Sequence, residues 1–94
     1  MNRITEKDLQ NLCDRLNDEY GYEREPYSET NLYGEVAYKA NPRTYLISHQ
    51  YGGVALHQMA KSGTGESDIS GMGHVTKREL HTFLRGMLAA SYAA

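Results

Sequence analysis

A chain of 94 residues, 39% hydrophobic and 23% charged, can build one small core but not two, so it reads as a single domain over 1–94. Ten basic against twelve acidic residues leave a net charge of −2, which argues against a bulk electrostatic grip on nucleic acid and leaves room only for a local basic patch. The single cysteine, Cys13, excludes an internal disulfide framework; it fits a reducing cytoplasm and reads as a small buried apolar residue.

Near the start, Ile4-Thr5-Glu6-Lys7-Asp8-Leu9 is a helix-start phrase. Thr5 is the N-cap, Asp8 closes a capping box, and the flanking aliphatic residues form a staple. The helix is predicted over 6–20. Leu9, Leu12, Cys13, Leu16 and Tyr20 fall on one stripe, with Asn17 among the polar residues away from it. Gly21 is the expected left-handed stop. No apolar run suggests a signal peptide or membrane span, so no membrane association is expected.

Residues 22–31 read as a loop. Three strands are predicted over 32–40, 43–50 and 53–60, separated at Asn41-Pro42 and at a Gly52-Gly53 hairpin turn. A cis-proline turn or a wider loop would serve at Asn41-Pro42. Pairing Tyr51 with Val54 and walking outward collects Leu32, Val36, Tyr38, Tyr45, Ile47, Tyr51, Val54 and Leu56 on one apolar face. The opposite face collects polar residues around Tyr33, Leu46, His57 and Met59.

Residues 62–74 form a glycine-rich loop containing Gly63, Gly65, Gly71 and Gly73. Val75-Thr76-Lys77-Arg78-Glu79-Leu80 then repeats the helix-start phrase. The second helix carries Leu80, Phe83, Leu84, Met87, Leu88 and Tyr92 as its stripe, with a fraying alanine-rich tail. The predicted fold class is α+β: helix, three-stranded antiparallel sheet, helix, with both helices on the apolar sheet face.

Two surfaces stand out as candidate sites. The uncovered sheet face, with Tyr33, Leu46, His57 and Met59, has an apolar centre in a polar surround, as an interaction patch does. It would receive a host protein or pair with itself as a homodimer. Gly71, Gly73, His74, Lys77 and Arg78, where the loop meets a helix N-terminus, form a candidate seat for a phosphate or nucleotide. No Gly-Lys-Ser/Thr closes that loop as a P-loop would. The histidines lack metal-ligand spacing, and no nucleophile stands with a base, so neither metal, cofactor nor enzyme activity is expected. The element order matches double-stranded-RNA-binding domains, but only Lys77 and Arg78 stand where those carry a lysine cluster. A weak nucleic-acid binder is thus a fold-level analogy.

The run Tyr51-Gly52-Gly53-Val54-Ala55-Leu56-His57-Gln58-Met59, followed by Gly71-Met72-Gly73-His74-Val75-Thr76-Lys77-Arg78-Glu79-Leu80, resembles a group of small proteins of tailed bacteriophages. The opening Ile4–Leu9 phrase and Asp14-Arg15-Leu16-Asn17 are also similar. The group has no assigned activity. The resemblance implies a phage accessory protein expressed in the host bacterial cytoplasm. Such proteins act by binding: host takeover, counter-defence or sequestration of signalling nucleotides.

Overall fold

The computed structural model describes residues 3–62 and 64–93, so Gly63 of the glycine-rich loop and Ala94 of the tail lie outside the described residues. The elements run α1 (Glu6–Tyr20), β1 (Tyr27–Leu32), β2 (Glu35–Ala40), β3 (Tyr45–Gln50), β4 (Gly53–Met59), β5 (Glu66–Asp68) and α2 (Lys77–Ala93). The fold is α+β. Its strands form two antiparallel sheets, β1-β2 and β3-β4-β5.

Both helix starts form by the local chemistry of their caps. The Asp8 N–H donates to Thr5 Oγ1 at 3.1 Å, and the Thr5 N–H donates to Asp8 at 2.9 Å. At α2 the Glu79 N–H donates to Thr76 Oγ1 at 3.2 Å, while Glu79 accepts from the Thr76 N–H and hydroxyl. Ile4 and Val75, one residue before each cap, pack on the core as staples do. Gly21 closes α1 with φ 74°. Helix α2 continues through Ala93, so the tail expected to fray is helical; its alanines are the best helix formers available.

The strands depart from expectation in membership. The segment 32–40 is not one strand, because Tyr33-Gly34 turns within it, with φ 56° and 79°. Positive φ at both central residues closes a tight hairpin whose twist matches its strands. The turn pairs β2 with β1, inside what reads as a loop, and leaves β2 unpaired with β3. The end of β2 is tied back to the start of β1 by Asn41: its N–H donates to the Pro26 carbonyl, and its amide donates to the Glu25 carbonyl and Ser28 hydroxyl. Asn41-Pro42-Arg43-Thr44 is a trans-proline turn with Arg43 at φ 67°, the type II pattern. It connects the two sheets rather than two paired strands. The third strand of the main sheet is β5, from the glycine-rich segment.

In the β3–β4 hairpin the turn is Tyr51-Gly52, φ 53° and 74°, not Gly52-Gly53. The register is therefore His49↔Val54, Ile47↔Leu56 and Tyr45↔Gln58. This is two residues from the expected pairing, so face parity is preserved. Of the expected apolar face, Tyr45, Val54 and Leu56 are buried and Ile47 packs against them. Val36, Tyr38 and Tyr51 are exposed, and the side chain of Leu32 lies outside the described residues.

Helix α1 packs on β3, α2 on β4, and the helices on each other. Leu9, Cys13 and Leu16 of α1 join Leu80, Leu84 and Leu88 of α2 in one core cluster with Val54 and Leu56. Asn17, on the polar side of the sequence pattern, is fully buried. Its amide receives the Tyr45 N–H at 2.7 Å and donates to the Tyr45 carbonyl at 3.0 Å. It therefore satisfies the free edge of β3 as another strand would. Cys13 also points at that carbonyl, at 3.3 Å, and burial pushes its thiol pKa up to about 12. Cys13 is accordingly expected to resist thiol reagents at neutral pH and to react only on unfolding. Stoichiometric labelling of the native protein at the rate of the denatured one would contradict this burial.

Candidate functional site

The four residues expected on one open sheet face do not share a surface. Met59 is only 2% exposed, whereas Tyr33 is fully exposed at the tip of the other sheet's hairpin. Leu46 and His57, register partners on β3 and β4, are half-buried. Ala55, also on this side of β4, is buried. The reason is the segment after β5, which reaches the face through His74. His74 Nε2 is 3.0 Å from Ser48 Oγ, and its ring meets His57 edge-on with centroids 5.7 Å apart. His57 Nδ1 lies 2.7 Å from Glu66 Oε1. A serine beside a histidine is half of a nucleophile–base arrangement. However, the carboxylate sits on His57, and among the described residues none is bonded to His74. The cluster ties the loop to the sheet.

The five residues of the expected anion seat are also separated. Glycine-loop N–H groups do converge on a carboxylate, but it is the chain's own Asp68. Gly73 N–H donates to Asp68 Oδ2 at 2.9 Å, and the Ser70 N–H and hydroxyl donate to Oδ1 at 3.1 and 3.0 Å. Desolvation works against the Asp68 charge, but the bonds from Gly73, Ser70 and Gly71 outweigh it and hold the carboxyl below 3.8. Lys77 borders a hollow with Glu6 and the β3–β4 turn, whereas Arg78 borders another with Met72 and Phe83. Among the described residues, no group of three or more His, Cys, Asp or Glu side chains could hold a metal.

A carboxyl depressed in the folded state stabilises above its unfolded pKa, and that contribution is lost as pH falls through the native value. Asp68→Asn should therefore cost about 1 kcal/mol at neutral pH. The variant and wild type should converge in acid, where both side chains are neutral. Denaturant melts across that range check it; a constant difference would place the effect elsewhere.

Gly53 shows a constraint the sequence hides. A Cβ there would meet the Val75 carbonyl oxygen at 3.0 Å and His74 backbone carbon at 3.1 Å. Val54 and Val75 exchange backbone hydrogen bonds of 2.8 Å at this crossing. The bridge delivers the loop to the start of α2. Gly53 serves close backbone approach, not the turn.

The largest exposed aromatic display belongs to the β1–β2 hairpin. Beyond each other, its strands pack extensively on no element among the described residues. Register places Tyr27↔Ala40, Glu29↔Tyr38 and Asn31↔Val36 on one face. Tyr27, Val36 and Tyr38 there are 52%, 59% and 72% exposed. The longest dimension of the molecule is 51 Å, and its radius of gyration is 14.4 Å, against about 12–13 Å for a compact domain of this length. The signal for this hairpin is the repeated Tyr-Gly: Tyr33-Gly34 turns as Tyr51-Gly52 does.

Compared with protein-family models, curated proteins and solved structures, the chain finds no match. Among the described residues no helix is long and apolar enough to cross a membrane.

Proposed function

We propose that this chain is a non-enzymatic bacteriophage accessory protein that binds and modulates a host protein in the bacterial cytoplasm, for host takeover or counter-defence. The observation carrying this reading is the β1–β2 hairpin, with Tyr27, Val36 and Tyr38 exposed on one face and Tyr33 at its tip. Tyrosine supplies large contact area at low entropic cost while its hydroxyl stays wet. The sequence resemblance to phage proteins supports the host context. Tyr33 adds a second line of support. A bulky residue at φ 56° is strained, and it stands in solvent where asparagine would serve the turn better. Tyr51 shares this strained, exposed geometry at the other hairpin tip, and what singles out Tyr33 is the exposed Tyr27, Val36 and Tyr38 on the strands it joins.

The test is affinity capture from bacterial lysate with two baits, the wild type and Val36→Thr combined with Tyr38→Thr, uncharged residues that strands tolerate. The wild type should retain a defined protein that the double variant loses while its circular dichroism stays native. Equal retention by both baits, or none above a blank resin, would sink the reading. Tyr33→Asn separates stability from binding. It should stabilise the protein by up to about 1 kcal/mol, by relieving left-handed strain, and weaken capture. A stability loss would mean that Tyr33 supports the fold instead.

A further inference from the structure

We propose that two copies of this chain pair edge to edge through β2, joining their hairpins into one four-stranded antiparallel sheet. A two-stranded ribbon is marginal in water and needs a third strand or a covering element. Among the described residues the β1–β2 hairpin has neither: β2 has β1 as its only sheet neighbour, and Glu35 through Lys39 are all exposed. Joining two ribbons gives each what it lacks.

Geometry selects the edge and the register. In a hairpin with a two-residue turn, the flanking pair exchanges both backbone hydrogen bonds. Here that pair is Leu32↔Glu35. Glu35, Ala37 and Lys39 therefore turn their N–H and C=O groups toward β1, while Val36, Tyr38 and Ala40 turn theirs outward. A two-fold pairing must match outward residues with outward residues. Centred on Ala37, it places Val36 against the partner's Tyr38 in a hydrogen-bonded pair. The same register sets Glu35 opposite the partner's Lys39, twice, in the non-bonded pairs where side chains lie closest. Among the described residues neither Glu35 nor Lys39 has an ion-pair partner within its own chain.

The β1 edge offers no such match. It carries Glu29 and no cation, so no two-fold register along it forms an ion pair between copies. A β1-to-β2 pairing is heterologous and propagates instead of closing. Charge and closure together favour β2 against β2. In the resulting sheet the Val36 and Tyr38 side chains of both copies share one face, extending the aromatic surface of each hairpin.

Sedimentation equilibrium of the full chain tests this. The wild type should show a monomer–dimer equilibrium. Lys39→Glu, which sets two pairs of like charges opposite each other, should weaken it on the order of tenfold or more. Glu35→Lys combined with Lys39→Glu should restore it. Ala37→Cys should oxidise to a disulfide-linked dimer, because antiparallel non-bonded pairs bring Cα atoms within disulfide range. Asn31→Cys, on β1, should not. A wild type that stays monomeric to its solubility limit, or a double variant no better than Lys39→Glu, would overturn the proposal. So would equal cross-linking at positions 31 and 37. These readouts concern self-association alone, so their failure leaves the capture result standing, and the reverse.

Discussion

Replacing Asn17 with alanine is expected to destabilise the protein by about 3 kcal/mol, a large share of what a domain this size possesses. Asn17 is fully buried on α1 and pairs with both backbone groups of Tyr45, at 2.7 and 3.0 Å. Alanine leaves the Tyr45 N–H without a partner and the carbonyl with only the weak Cys13 thiol at 3.3 Å. It also opens a void where the amide sat. The melting temperature should fall by more than about 10 °C. Asn17→Asp provides the internal check. A carboxylate accepts the Tyr45 N–H but faces the Tyr45 carbonyl, so the variant should be weak at neutral pH and recover as the carboxyl protonates. An alanine variant within a few tenths of a kcal/mol of wild type would mean that α1 does not dock on β3 through this pair.

Leu84→Ala should cost about 3 kcal/mol, within the usual range of about 2–5 for a buried leucine. Leu84 has no exposed surface and lies in the cluster that joins α2 to α1 and the sheet. Truncation loses the transfer energy of its methyl groups and leaves a cavity between elements that cannot all close in. Two residues on, Gly86 faces solvent within the same helix, and an added Cβ meets nothing within 4 Å. Gly86→Ala should therefore stabilise, by up to about 1 kcal/mol. Opposite signs in paired denaturant melts fix which side of α2 faces the core. Equal effects would mean the helix is rotated.

The features legible in the sequence are those decided by a few neighbouring residues. Both capping boxes, the Gly21 stop and the leucine stripes of α1 and α2 need no information from elsewhere in the chain. The alternation in β3 and β4 also survives, because a two-residue register error keeps each side chain on its face. What was hidden depends on partners far along the chain. Asn17 looks like surface until Tyr45, 28 residues on, presents its backbone to it. Asp68 carries no distinguishing mark in the sequence, yet it is itself the anion that the glycine loop binds. Gly53 passes for a turn residue until Val75 crosses it. The β1 strand was masked by its polar sequence, Tyr-Ser-Glu-Thr-Asn-Leu, which has little apolar alternation because neither face of the hairpin is covered. Tyr33, Leu46, His57 and Met59 fail to form one patch for two long-range reasons: Tyr33 belongs to the turn of the other sheet, and the segment after β5 covers part of the face that the other three share.

The reading rests on the hairpin face being where a host protein binds, and backbone deuterium exchange on a captured complex tests it most directly. Free and partner-bound protein are compared at a concentration low enough that the chain is monomeric, so that pairing through β2 does not mask the change. Added protection should concentrate in β1, β2 and the Tyr33-Gly34 turn, with β3, β4 and both helices unchanged. Protection confined to the β3–β4 sheet, the Asp68 loop or the start of α2, with an unaltered hairpin, would contradict it.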